Sequence, residues 1–162
     1  MAAVDYFLKV DGIPGESQDA GHKGEIEVTA WSWGESTAGP GASGGSGGGA
    51  GKVQLQDFHF RSRISKASPK LMQACASGEH IKSAVLTARK AGKAQSEFLT
   101  ISLSDVLISS HQTGAGEGDD VPADSVALGF ARIQVEYLET KADGSPGGSV
   151  KFGWDVKQNK PL

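Results

Sequence analysis

The 162-residue sequence contains a single cysteine, Cys75, and only 7% aromatic residues. One cysteine excludes an intramolecular disulfide and a metal site made of cysteines alone, as is usual for proteins that fold in a reducing compartment. No apolar run approaches the roughly 18 residues that a membrane-spanning helix needs. The N-terminal residues also lack the basic and apolar regions of a secretory signal peptide. We therefore expect synthesis in the cytoplasm, no stable membrane insertion, and any export to proceed without a cleaved leader.

Motifs for catalysis, metal binding and nucleotide binding are also missing. The four histidines are too widely separated to form a metal-ligand pair along the chain: His22, His59, His80 and His111. The glycine-rich run before Lys52 resembles a phosphate-binding loop, but Ser46 replaces the required first glycine and Val53 the required serine or threonine. No Gly-x-Ser-x-Gly nucleophile motif occurs. We predict that the protein is not an enzyme and binds no cofactor or metal.

The net charge of −3 is small but unevenly distributed. Residues 52–93 contain nine Lys or Arg and two acidic residues, whereas the rest of the chain is acidic. A basic segment can bind nucleic acid, but these basic residues are scattered along strand-like and helix-like segments, so we expect no nucleic-acid partner. A solvated basic face is the simplest interpretation. Alternatively, the basic face of one copy could meet an acidic face of the next, with Arg61 and Arg63 as the charged contacts.

Apolar residues alternate with polar ones along most of the chain, which predicts a mainly β protein. Predicted strands cover residues 6–10, 25–33, 53–63, 84–90, 99–104, 126–138 and 150–157. The alternation slips by one residue at Gln56–Asp57 and again at Ala131–Arg132. Such slips indicate either strongly bent strands, as in a barrel or curved sandwich, or pairs of short strands joined by a kink.

One helix is predicted between the strands. Ser68 is a suitable N-cap, Pro69 a suitable first residue, and Gly78 a suitable end. We therefore expect a two-sheet β-barrel or sandwich with one short flanking helix, formed by residues 1–162 as a single domain.

Glycine is the residue in excess. Nine of the 23 glycines fall within residues 34–51. A flexible linker between two domains would have this composition, but the strands on either side do not form two self-sufficient cores. We interpret 34–51 as a long loop that projects from one domain.

The segment Trp31-Ser32-Trp33-Gly34 places two indoles on one face of a strand and Ser32 on the other. Tryptophan is costly to expose and common in cores and interfaces. We therefore interpret Trp31, Trp33 and Trp154 as core or interface anchors. The alternative is a monomeric β-sandwich module that binds a ligand such as a carbohydrate, with Trp31 or Trp33 as its platform.

Several short segments occur in a recognisable order along the chain. They include Tyr6-Phe7-Leu8-Lys9-Val10, Ile13-Pro14-Gly15-Glu16-Ser17, Ala30-Trp31-Ser32-Trp33-Gly34, Ser68-Pro69-Lys70-Leu71-Met72 and Gly153-Trp154-Asp155-Val156-Lys157. In this order they resemble the haemolysin-coregulated protein (Hcp) family, the tube subunit of bacterial type VI secretion systems.

This resemblance implies a β-barrel whose hexameric rings stack into a hollow tube. A contracting sheath expels the tube from the bacterial cytoplasm, and the lumen carries secreted effector proteins. The implied partners are further copies of the chain, effectors, and the sheath and spike components. The resemblance also implies that the glycine-rich loop takes part in ring stacking, which assigns Gly39, Gly44, Gly48 and Gly51 to that contact. Because the lumen should be lined by small polar residues, Ser32 is the candidate for cargo contact.

Overall fold

The computed structural model describes residues 3–37, 52–91 and 96–162. These residues form eleven strands and one helix. The elements are β1 Val4–Val10, β2 Ile26–Glu27, β3 Ala30–Ser32, β4 Glu35–Ser36, β5 Gln54–Leu55, β6 Phe58–Arg63, α1 Ala67–Ser77, β7 His80–Lys90, β8 Glu97–Gly114, β9 Ala123–Thr140, β10 Pro146–Asp155 and β11 Lys160–Pro161. The chain is therefore mainly β with a single helix in the described part, as the alternation predicts.

The main sheet is organised around β9, which has two different neighbours along one edge. From Ala123 to Tyr137, β9 pairs with β8 along one edge. Along the other edge it pairs with β6 up to Leu128 and with β10 from Arg132 onward. The predicted slip at Ala131–Arg132 is this change of neighbour within one long bent strand. The second predicted slip has the other cause, because Gln56–Asp57 separates two short strands, β5 and β6.

The strands β11-β10-β9-β8-β7-β1-β2 follow one another in the main sheet, and β3 and β6 branch from β9. Two residues between β2 and β3 connect the branch to β1, since the N–H of Val28 donates to Tyr6 and that of Thr29 donates to Arg61. Strand pairing does not close the described strands into a barrel. The architecture is sandwich-like. Of the two predicted forms, a barrel or a sandwich, the sandwich is the one that fits.

The hydrophobic core lies between the two layers of this sandwich-like sheet. Its fully buried large side chains include Leu8, Phe58, Phe60, Leu71, Leu86, Leu103, Leu128 and Ile133. Alternation puts Phe58 and Phe60 inward while His59 and Arg61 stay exposed. The helix packs on this core through Leu71 and Ala74.

The start of the helix differs from the prediction, whereas its end agrees. Helix α1 begins at Ala67, after Lys66, and no side chain caps it. Ser68 lies inside the first turn, where its hydroxyl donates to the buried carboxylate of Asp124. The predicted cap was wrong because a tertiary acceptor competes for this hydroxyl. Gly78 ends the helix in the left-handed conformation, with φ of 68°.

Candidate binding face and assembly edges

One side of the sheet portion β3-β6-β9-β8 presents small and polar side chains. Cross-strand partners share a face of a sheet, and the register aligns Ala30 with Arg61 and Ser32 with His59. Continuing across the sheet, it aligns Arg61 with Ser125, and Ser125 with Gln112. We call this surface the serine face, and it consists of Ala30, Ser32, His59, Arg61, Ser110, Gln112 and Ser125. All seven residues line one shallow concavity.

Ser32 lies on β3, at one edge of this face, where it lines the concavity and is exposed. A slip of strand phase at Val28–Thr29 brings it there. Without that slip, Ser32 would share the side of the buried Ile26 and Val28. The two hydrogen bonds that these residues donate to neighbouring strands hold the slip in place.

The indoles that flank Ser32 point the other way. Trp31 stacks on Phe58 with ring centroids 5.9 Å apart and meets Tyr6 edge-on at 6.1 Å. The indole N–H of Trp33 donates to the carbonyl oxygen of Gln56 at 2.9 Å. Trp154 is half-buried against the core, and its indole N–H has no hydrogen-bond partner among the described residues. All three tryptophans therefore pack against the body of the protein.

The charged residues of the serine face are basic. Arg61 is exposed and makes no ion pair with any described residue. Arg63 extends from the same side of β6 and borders a second groove that contains Glu16 and Glu27. Near the opposite end of β6, the carboxylate of Asp57 accepts a hydrogen bond from the Ser109 hydroxyl at 2.6 Å.

Two strand edges border the serine face. On one side lies β3, which pairs only with β6 among the described strands. On the other side lies the second half of β8, because the pairing of β8 with β7 ends at Leu107. No described strand covers the outer edge of residues 108–114. No described strand pairs with the outer edge of β10 before Trp154, but this edge lies away from the serine face.

Behind the serine face, a buried polar cluster joins α1 to β8 and β9. The carboxylate of Asp124 accepts a hydrogen bond from Ser68, and its other oxygen lies 3.6 Å from Nε2 of His111. The side chains of Asp124 and His111 are almost fully buried, and at 3.6 Å these two atoms make no hydrogen bond, so the hydrogen bond from Ser68 is the one that satisfies this carboxylate among the described residues. The cluster thus fixes the helix against the back of the face.

A second network fastens the loop 11–25 to β7 and β8. Arg89 donates to Asp19 at 2.7 and 2.9 Å and to Asp5 at 3.3 Å. The hydrogen bonds from Arg89 lower the pKa of Asp19 to about 2, and Asp19 in turn raises the pKa of Arg89. Nearby, Nδ1 of His22 lies 2.9 Å from a carboxylate oxygen of Glu25, and Nε2 lies 2.7 Å from a carboxylate oxygen of Glu97. The sequence gives no sign of this network, since Glu97 is 75 residues from His22.

The four glycines predicted to take part in ring stacking lie outside the described residues: Gly39, Gly44, Gly48 and Gly51. Within the described ranges, His, Cys, Asp and Glu side chains form no group that could hold a metal ion. No helix in these ranges is long and apolar enough to cross a membrane.

Comparison with known proteins decides the family. Residues 7–137 match the family described as "Type VI secretion system effector, Hcp". The chain belongs to the Hcp family. This Hcp chain is 51% identical to Protein hcp1 of Pseudomonas aeruginosa over 159 residues, which cover 97% of the chain and 98% of that protein.

Solved structures agree with this family and with the fold. The crystal structure of Hcp1 from Salmonella typhimurium is similar with a TM-score of 0.80 and 33% identity, covering 99% of this Hcp chain and all of the other. A structure described as a type six secretion system protein has a TM-score of 0.90 at 28% identity, with the same coverage. The resemblance found in the sequence is therefore confirmed.

Proposed function

We propose that this Hcp chain is the structural subunit of a type VI secretion tube. Six copies close into a ring, the rings stack into a hollow tube, and the tube carries effector proteins in its lumen. Family membership supports a role in type VI secretion, in a family that is structural rather than enzymatic. The observation that carries the proposal for the ring is the position of two free strand edges on either side of the serine face.

A ring requires a heterologous interface, in which two different surfaces of the subunit meet and the rotation closes. The outer edges of β3 and of residues 108–114 are different surfaces of this kind. If the β3 edge of one copy meets the β8 edge of the next, both edges gain partners for their backbone groups. The sheet then continues from copy to copy, and the serine face forms the inner wall of the ring.

The inner wall of such a ring would contact cargo. Small polar side chains leave room for a protein and offer hydrogen bonds without fixing one sequence. Ser32 lines the concavity of the serine face and is exposed, which supports its role in cargo contact. The sheath and spike components would be the other partners, and the tube would be assembled in the bacterial cytoplasm and then expelled.

A monomeric carbohydrate-binding module is less well supported. Sugar stacking needs an exposed indole face. One face of Trp31 is occupied by Phe58, and Trp33 packs near Phe152 with centroids 6.3 Å apart. Both indoles are half-buried and engaged by these rings, which favours a packing role over a sugar platform.

Chemical cross-linking tests the proposed ring contact. In a Cys75→Ser background, Ala30→Cys and Thr113→Cys place one thiol beside each free edge. A short thiol-reactive cross-linker should then produce a ladder of covalent oligomers that ends at six copies. Lys70→Cys replaces Ala30→Cys in the control pair, because Lys70 is exposed on α1.

Hexamers in light scattering without a ladder would show that the ring uses other surfaces, such as the β10 edge. Monomers at all concentrations would contradict the proposed function itself.

A further inference from the structure

The serine face carries positive charge without compensation. Arg61 lies within it and is exposed, and its register neighbours are Ala30 and Ser125. On the exposed side of β3, β6 and the adjoining parts of β8 and β9, Asp57 is the only described carboxylate. It lies at the far end of β6 and is hydrogen-bonded to Ser109. Because this guanidinium makes no ion pair with a described residue, it is available to a ligand rather than engaged in the fold.

We propose that the serine face selects protein cargo by charge, and that its preferred partners are small proteins with an acidic surface. This inference rests on the proposed function, because it names the class of cargo that the lumen would accept. Arg61 provides the charge, since its planar guanidinium can bind a carboxylate through two parallel hydrogen bonds. Ser32, Ser110, Ser125 and Gln112 add neutral hydrogen-bonding groups around it.

Repetition around a ring would make this weak site effective. One exposed ion pair strengthens binding only about twofold, because water competes and salt screens the charges. A cargo inside the ring would meet one Arg61 from every copy, in a space with little bulk water. Three or four such contacts made together would give about a tenfold preference for an acidic cargo over a neutral one.

The chemistry of the face favours a protein over a nucleic acid. Proteins that bind single strands combine basic residues with exposed aromatic side chains on which the bases stack. The serine face itself contains no aromatic ring apart from the imidazole of His59. The half-buried Trp31 borders the same concavity, but its ring stacks on Phe58. A single arginine per copy among serines offers carboxylate recognition but no stacking platform.

The experiment compares one small probe protein in three forms with neutral, acidic and basic surfaces. Each labelled probe is mixed with assembled rings, and its affinity is measured by fluorescence anisotropy at about 0.05 M and about 0.5 M salt. We expect the acidic probe to bind about tenfold more tightly than the neutral one at low salt, and the basic probe to bind more weakly than both. High salt should remove most of the difference.

Two matched variants assign the preference to the serine face. Arg61→Ser removes its exposed positive charge, and Lys70→Ser removes one from the exposed side of α1. The first should abolish the preference for the acidic probe and the second should retain it, while light scattering confirms that both variants form rings. Equal binding of all three probes, or loss of the preference in Lys70→Ser, would overturn the inference.

Three other outcomes are also decisive. A labelled oligonucleotide that binds more tightly than the acidic probe would replace the protein cargo with a nucleic acid. Rings that fall apart in Arg61→Ser alone would make Arg61 a contact between copies, as the charge pattern of the sequence also allows. If the wild-type protein forms no rings, the proposed function fails, whatever the probes do.

Discussion

Gly15 gives the sharpest test of how the loop 11–25 is fastened to the sheet. A Cβ at this position would lie 2.5 Å from the carbonyl oxygen of Glu25 and 2.7 Å from the Cα of Ile26. Both are backbone atoms, so no side chain can rotate away. Gly15→Ala therefore forces two backbone segments apart, although alanine itself is tolerated in most loops.

The size of the effect follows from the contacts that separate. The displacement breaks the hydrogen bonds from the N–H of Gly15 to Gly24, 2.8 Å, and from the N–H of Ser17 to Glu25, 3.0 Å. Each is worth about 1 kcal/mol, and the buried Ile13 loses part of its packing as well. The lower entropy of the unfolded alanine chain returns about 0.4–1 kcal/mol. We expect a net loss of about 2–3 kcal/mol in the free energy of unfolding.

Gly21→Ala is the matched control in the same loop. Its Cβ would meet only the Asp19 carboxylate, at an ordinary 3.5 Å. The expected change is between zero and a gain of about 1 kcal/mol. Urea unfolding followed by tryptophan fluorescence, at equal protein concentration, measures both variants. Equal midpoints for the two variants would refute the close packing of Gly15 against Glu25.

Three further predictions concern charge and cargo. Because Arg89 lowers the pKa of Asp19 from 3.8 to about 2, their ion pair should stabilise the fold fully above about pH 4 and lose its effect as the pH falls toward 2. In urea unfolding across this range, Asp19→Asn should therefore flatten the acid limb of the stability profile, and an unchanged limb would count against the pair. Ser32→Trp should leave rings intact in light scattering but reduce co-purification of cargo, whereas unaltered retention would remove Ser32 from the contact. If Arg63 contacts an acidic surface of another copy, Arg63→Glu and high salt should both weaken ring assembly in light scattering, and assembly indifferent to both would end that prediction.

Local patterns in the sequence predicted the fold best where side chains decide the structure. The alternation of apolar and polar residues predicted a strand that includes Phe58–Arg63, and β6 forms there because each of its residues faces either core or water. The slip at Ala131–Arg132 marked the point where β9 changes neighbours. Gly78 marked the end of α1 because few other residues adopt its backbone conformation.

Distant contacts explain what the sequence could not predict. Ser68 has the chemistry of a helix cap, but Asp124, 56 residues away, accepts its hydrogen bond instead. The strand predicted through 25–33 divides at Val28–Thr29 because these residues bond to two different strands. The serine face could be anticipated only at Ser32, since its other members come from strands whose pairing no local pattern encodes.

Negative-stain imaging of the purified protein tests the proposed ring and tube together. We expect six-membered rings with a central opening, and stacks of these rings at high concentration. The cross-linked Ala30→Cys, Thr113→Cys variant should give the same rings in covalent form. A field of single subunits at every concentration would contradict the account.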